Sequence, residues 1–134
     1  MELAHPVTGE LLPVPLVGAL DALVVEDGAE TIWELKTGKR KWSADALDYD
    51  LQTTSYRIAA RELGRGDDLA LKLVLTTKAT QPDVQVERLV RHRRDERELV
   101  ETIFAVHRAV EAGVDFPNRG WQCRTCAWAG ACGG

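Results

Sequence analysis

Residues 17–36, VGALDALVVEDGAETIWELK, hold Asp21, Glu34 and Lys36 inside two otherwise apolar runs. Asp27-Gly28 between the runs is a strong hairpin signal, since both residue types tolerate the left-handed backbone of a two-residue turn. With that turn at the centre, Glu26 pairs with Ala29 and, further along the ladder, Asp21 stands opposite Glu34. Their Cβ atoms then lie roughly 4.5–5.5 Å apart on one face, which Lys36 shares because it is two residues beyond Glu34. Two carboxylates that close repel unless a cation lies between them. Mg²⁺ or Mn²⁺, held by oxygen ligands, satisfies both, and Lys36 reaches whatever the metal binds. Three other readings stand beside this one: a structural salt bridge in which the acids bracket Lys36, strands more exposed than their apolarity implies, and a register shifted by a longer turn.

Outward from the hairpin, the first strand is expected over residues 13–25 and its return over 30–36, with 37–42 a loop. Residues 51–63 have helical spacing, with Asp48 or Asp50 as N-cap and Gly64 as stop. Residues 69–76 and 84–90 read as strands separated by Gln81-Pro82-Asp83. Residues 96–112 read as a helix with an apolar stripe through Leu99, Ile103, Val106, His107 and Val110. From residue 113 the chain is expected to be irregular. Gln52 and Tyr56, four apart, share a helix face, so an amide and a phenol can point at one site, though such residues also serve as plain surface and boundary positions.

The chain has 134 residues, 45% hydrophobic and 28% charged, the size of one domain with a modest core. Residues 1–134 are therefore expected to form one domain, with 1–12 a lead-in and 113–134 a cysteine-containing tail. No run is long enough to span a membrane and the N-terminus lacks signal-peptide character, so no membrane association and a cytoplasmic setting are expected. Three cysteines, Cys123, Cys126 and Cys132, fit metal or cluster ligation better than a disulfide framework in a reducing compartment. A net charge of −4 argues against coating nucleic acid by bulk electrostatics and leaves a local basic site open. Lys39, Arg40 and Lys41, followed by Trp42, form such a site: the loop can follow a phosphate backbone and stack a base, or it can be an exposed turn with solubilising charges. Arg88, Arg91, Arg93, Arg94 and Arg97 make a second cluster, interrupted by acids and consistent with a solvated helix start.

Gly18-Ala19-Leu20-Asp21, Glu34-Leu35-Lys36 and Gln52-Thr53-Thr54-Ser55-Tyr56 resemble the successive core motifs of the PD-(D/E)XK nuclease superfamily. The Q-x-x-x-Y element is similar to that of its RecB-like branch. Phe116-Pro117, the run Trp121-Gln122-Cys123-Arg124-Thr125-Cys126 and then Cys132 resemble the C-terminal ligands of the iron–sulfur nucleases of that branch, found in AddB-type helicase–nucleases and CRISPR-associated spacer-acquisition exonucleases. The resemblance implies an α/β, restriction-endonuclease-like core: a central mixed sheet flanked by helices, in keeping with the apolar Leu20, Ala22, Val24, Trp33 and Leu35 on the other strand face. It implies Asp21, Glu34 and the backbone carbonyl of Leu35 as ligands of Mg²⁺ or Mn²⁺, Lys36 as the residue that positions or activates the attacking water, and Gln52 and Tyr56 as supports.

Two features depart from that branch, in which an upstream cysteine completes a four-cysteine [4Fe–4S] site and a histidine sits on an upstream helix. Here only His5 precedes Asp21, in an Ala4-His5-Pro6 context that is a poor helix, so a pared-down relative or an N-terminal part supplied elsewhere is expected. Three thiolates hold a cluster with an exogenous ligand, or Zn²⁺ with a fourth ligand such as a histidine. His107 is expected in the core and His92 in solvent. The function expected is a metal-dependent DNA nuclease, an exonuclease or a single-strand- or end-acting enzyme of repair or recombination, with a helicase among its candidate partners. The alternatives are a catalytically inactive nucleic-acid-binding or structural module of the same fold, and a small zinc-ribbon-like adaptor.

Overall fold

Asp27 and Gly28 both have positive φ, 52° and 82°, the conformations whose twist matches two flanking antiparallel strands. The computed structural model describes residues 1–65, 69–114, 116 and 118–132. The turn joins β1 (Ala22–Glu26) to β2 (Ala29–Gly38), with Glu26 opposite Ala29 and Ala22 opposite Trp33, the register expected of a two-residue connection. The strand expected over residues 13–25 begins only at Ala22. Pro13 and Pro15 have no N–H for a ladder, and Val14 and Val17 are exposed. At its other end β2 runs through Thr37 to Gly38, two residues into the expected loop.

A short helix that the sequence reading did not anticipate, α1 (Ala44–Asp48), follows, with the Ser43 hydroxyl accepting the Ala46 N–H. Five residues are too few for an amphipathic stripe to show. Then α2 (Leu51–Glu62) starts where Asp50 Oδ2 accepts the Thr53 N–H at 2.9 Å, and Gly64 at φ 72° closes it. Both signals were in the sequence. β3 (Ala70–Thr77) and β4 (Val84–Leu89) lie within a residue of expectation. The sheet order is β1-β2-β3-β4; β2 and β3 are parallel, the other pairs antiparallel, and α1 and α2 occupy the crossover between the parallel strands. The fold is thus α/β, a mixed four-stranded sheet flanked by helices.

On one sheet face Ile32, Leu71, Leu73, Leu75 and Leu89 pack with Tyr56 and Ala60 of α2. Each such leucine or isoleucine contributes about 2 kcal/mol by leaving water. That burial holds α2 over the face of β2 from which Glu34 projects.

Residue contacts divide the chain into two compact units, Met1–Thr102 and Ile103–Gly134. A third helix, α3 (Arg93–Glu111), starts in the first and ends in the second. Its buried residues are Glu96, Leu99, Val100 and Phe104, whereas Val106 and Val110 are exposed. The expected stripe is therefore rotated toward a line four residues apart, 96–100–104, and His107 is only half-buried. In the second unit a 3-10 turn at Trp121–Thr125 stands where irregular chain was expected. Pro117, of the Phe116-Pro117 pair, lies outside the described residues.

Candidate active site

Strand alternation turns Ile32, Glu34 and Lys36 toward α2, and Glu34 ends up 1% exposed. Its carboxylate lies against two groups: the Lys36 ammonium, which forms an ion pair with Oε1, and the Tyr56 hydroxyl. Lys36 Nζ also donates to Gln52 Oε1 at 2.5 Å, and Gln52 Nε2 donates to the Tyr56 hydroxyl at 2.7 Å. One polar chain, Glu34–Lys36–Gln52–Tyr56, therefore links β2 to α2. Burial pushes the Tyr56 phenol well above the usual tyrosine range, and the nearby Glu34 and Asp21 carboxylates push it further, against a smaller opposing effect of Gln52. Tyr56 is a neutral hydrogen-bonding group at ordinary pH. Both carboxylates lie near enough to the phenol to act on it, Glu34 the more strongly.

Asp21 reaches that site in a way the register alone did not foretell. The ladder stops at Ala22 and Trp33, and the exposed Asp21 continues it with its side chain, Oδ2 accepting the Leu35 N–H at 2.9 Å. The carboxylate is thereby held beside the backbone of Leu35, the third expected ligand position.

These groups fit a divalent cation of the Mg²⁺ or Mn²⁺ type. The donors are hard oxygens, and Glu34 is a buried carboxylate, a state that a neighbouring cation such as the Lys36 ammonium makes tolerable and that a metal ion would stabilise further. Among the described residues no three His, Cys, Asp or Glu side chains gather as a ligand set. An ion here would rest on two carboxylates and a carbonyl, with water or substrate phosphate completing its shell, which is how magnesium is commonly held. Beside the pair Gln52 and Tyr56, a mostly apolar cleft of about 680 Å³ runs between α2 and residues 16–20.

The basic loop divides. Lys39 and Arg40 are exposed. Lys41 pairs with Asp83 at 2.6 Å. Trp42 is half-buried against the core, its N–H donating to Gln85 Oε1 at 2.8 Å and its carbonyl accepting from Gln85 Nε2 at 3.1 Å. In the tail, Cys123, Cys126 and Cys132 are exposed and free of disulfides, and the Gly120 N–H donates to Cys123 Sγ at 3.3 Å.

Arg91 is the residue that sequence reasoning misplaced. The charge pattern places it in a solvated basic cluster, and His92 beside it is exposed, but Arg91 is 9% exposed and donates to Thr53, Thr54, Leu47 and Asp50. The signal was alternation: Gln85 and Leu89 face inward on β4, and Arg91 continues their phase beyond the strand's end.

A mixed sheet that brings two acids and a lysine to one cation-compatible site defines the class of metal-dependent nucleases with a restriction-endonuclease-like fold. A family model described as PD-(D/E)XK nuclease superfamily matches residues 1–133, and the chain belongs to that superfamily. The match is to the superfamily as a whole. No curated protein and no solved structure matches the chain significantly.

Proposed function

We propose that the chain is a Mg²⁺- or Mn²⁺-dependent deoxyribonuclease that hydrolyses phosphodiester bonds at DNA ends or in single strands. The observation that carries this reading is Glu34: a fully buried carboxylate that faces the Lys36 ammonium and the Tyr56 phenol, in a chain of a nuclease superfamily. Asp21, Glu34 and the Leu35 carbonyl would hold the metal, which when bound supplies Lewis acidity and an acidified water. Lys36, held by Gln52, carries positive charge to the scissile phosphate and positions the attacking water. Tyr56, kept protonated, fixes the Gln52 amide rather than acting as a base. The cleft beside Gln52 and Tyr56 offers room for a nucleotide, and Lys39 and Arg40 are the loop residues free to meet phosphates. Lys41 is engaged by Asp83 and Trp42 by the core, so their contribution is secondary.

For the tail we keep the reading of a metal centre on Cys123, Cys126 and Cys132, a [4Fe–4S] cluster or Zn²⁺ with a ligand from outside the three, as in the RecB-like branch with its helicase partners. Elemental analysis of anaerobically purified protein distinguishes iron with acid-labile sulfide from stoichiometric zinc. A second reading has support in one observation: Lys36 and Glu34 already neutralise each other, as they would in an inactive module that binds nucleic acid without cutting.

End-labelled single- and double-stranded DNA, and RNA, incubated with Mg²⁺, Mn²⁺ or EDTA, separate the two. The nuclease reading expects metal-dependent loss of label from DNA. Asp21→Ala and Glu34→Ala should abolish cutting and weaken Mn²⁺ binding in calorimetry, and Lys36→Ala should abolish cutting with Mn²⁺ binding largely kept. Unchanged Mn²⁺ affinity in both carboxylate variants would remove the metal site as drawn.

A further inference from the structure

Arg91 stands at the junction of β4 and α3, with its guanidinium among three other segments. Nε donates to Thr54 Oγ1 at 3.0 Å; Nη2 donates to Thr53 Oγ1 at 2.9 Å and to the Leu47 carbonyl at 2.6 Å, with the Asp50 carbonyl at 3.4 Å; Nη1 donates to the Val90 carbonyl at 3.1 Å. The threonine hydroxyls pass the chain on, both donating to the Asp50 carbonyl, at 3.2 and 3.3 Å. Each hydroxyl therefore accepts from Arg91 and donates to Asp50, so its proton has one direction. Leu47 belongs to the last turn of α1, Asp50 is the N-cap of α2, and Thr53 and Thr54 form the first turn of α2. A planar fork meets these acceptors together; a lysine ammonium on a flexible stem does not.

Gln52 lies in that same first turn, and its amide oxygen is what Lys36 Nζ meets at 2.5 Å. A side-chain tip about 6 Å from a helix axis moves about 1 Å when the helix rotates by about 10°. Such a shift is enough to break the Lys36 contact, and displacements of about 1 Å at a reacting centre cost on the order of 10²-fold in rate.

We propose that Arg91 is a positioning residue: by locking the α1–α2 junction it sets the rotation of α2's first turn, so that Gln52 orients the Lys36 ammonium at the scissile phosphate. The kinetic arm of this proposal rests on the nuclease reading; the spectroscopic arm does not. Arg91→Lys should keep its near-ultraviolet circular dichroism, its Mn²⁺ affinity and its KM for single-stranded DNA within about twofold, while kcat falls about 100-fold. Adding Gln52→Ala to Arg91→Lys should cost nothing further, because both act through Lys36. Guanidinium ion at millimolar concentration should restore part of the rate to Arg91→Ala. Wild-type kcat in Arg91→Lys, or penalties that multiply in the double variant, would overturn the proposal.

The Gln52 side-chain amide, assigned by its loss in Gln52→Ala, provides the second readout in nitrogen–proton spectra. It should be displaced from the solvent-exposed amide cluster in wild type and return toward it in Arg91→Lys. An unmoved amide overturns the proposal whether or not the protein cuts DNA, whereas a moved amide with no cutting in wild type is a failure of the nuclease reading alone. If Arg91→Lys does not fold, Thr54→Val, which removes the acceptor of Nε and one donor to the Asp50 carbonyl, is measured by the same two readouts with a smaller loss expected.

Discussion

At the residue scale, a buried acid, a lysine, an amide and a phenol meet in one polar chain. Tyr56 titrates above the ordinary tyrosine value of 10.0 because it is buried and faces Glu34 and Asp21. A raised pKa means that the folded protein holds the phenol proton more tightly than the unfolded chain does. The stability this contributes is fully present below about pH 10 and is lost as pH rises from there toward the folded-state pKa. Thermal unfolding followed between pH 8 and 11 should therefore fall more steeply above pH 10 in wild type than in Tyr56→Phe, with parallel curves below it. Parallel curves throughout would mean that neither burial nor the two carboxylates raises the Tyr56 pKa. The sequence places Glu34 and Lys36 on one strand face, because alternation and a two-residue turn are local rules. It could not show that Asp21 would leave the ladder and bond the Leu35 N–H, since that choice depends on where the extended segment before β1 runs.

At the element scale, α2 is held from two sides. Its inner face packs on the sheet, and its arginines meet a buried acid on the first turn of α3. Glu96, 5% exposed, forms an ion pair with Arg61, lies 3.8 Å from Arg57 and 3.8 Å from Arg93. Removing one member of a buried charge group leaves the rest desolvated without compensation. Glu96→Ala should cost about 3 kcal/mol, read as a lowered urea midpoint at unchanged m-value, and Arg93→Ala should cost much less because that side chain is largely in water. The limits of α2 were legible beforehand because Asp50 and Gly64 act on the backbone beside them. The rotated stripe of α3 was not, since a buried Glu96 counts as polar in any hydrophobic periodicity although three arginines make its burial tolerable.

At the scale of the whole molecule, a chain of net charge −4 can meet a polyanion only through a local basic feature. The loop after β2 supplies one in Lys39 and Arg40, which leave the sheet two and three residues beyond Thr37. If these two meet phosphates, replacing both with glutamine should flatten the dependence of log K on log salt for single-stranded DNA by roughly 1.4 units, at ~0.7 per contact. Adding Lys41→Gln should change the slope little, since Asp83 already holds that ammonium. An unaltered slope in the double variant would assign the loop's charges to solubility. No described helix is long and apolar enough to cross a membrane.

The amino-acid sequence by itself determined the hairpin and its register, the limits of α2, the α/β order of elements and the strand face that Glu34 and Lys36 share. Each of these follows from rules that act over a few residues: φ preferences at Asp27-Gly28, side-chain capping at Asp50, and alternation along a strand. Only the tertiary structure decided that Trp42 belongs to the core, that Lys41 is taken by Asp83 and that Arg91 is an interior residue. Those outcomes turn on groups 37 to 44 positions away in the chain, such as Thr54, Gln85 and Leu47. No local preference specifies such a partner; it is chosen by where the parallel crossover between β2 and β3 sets down α1 and α2.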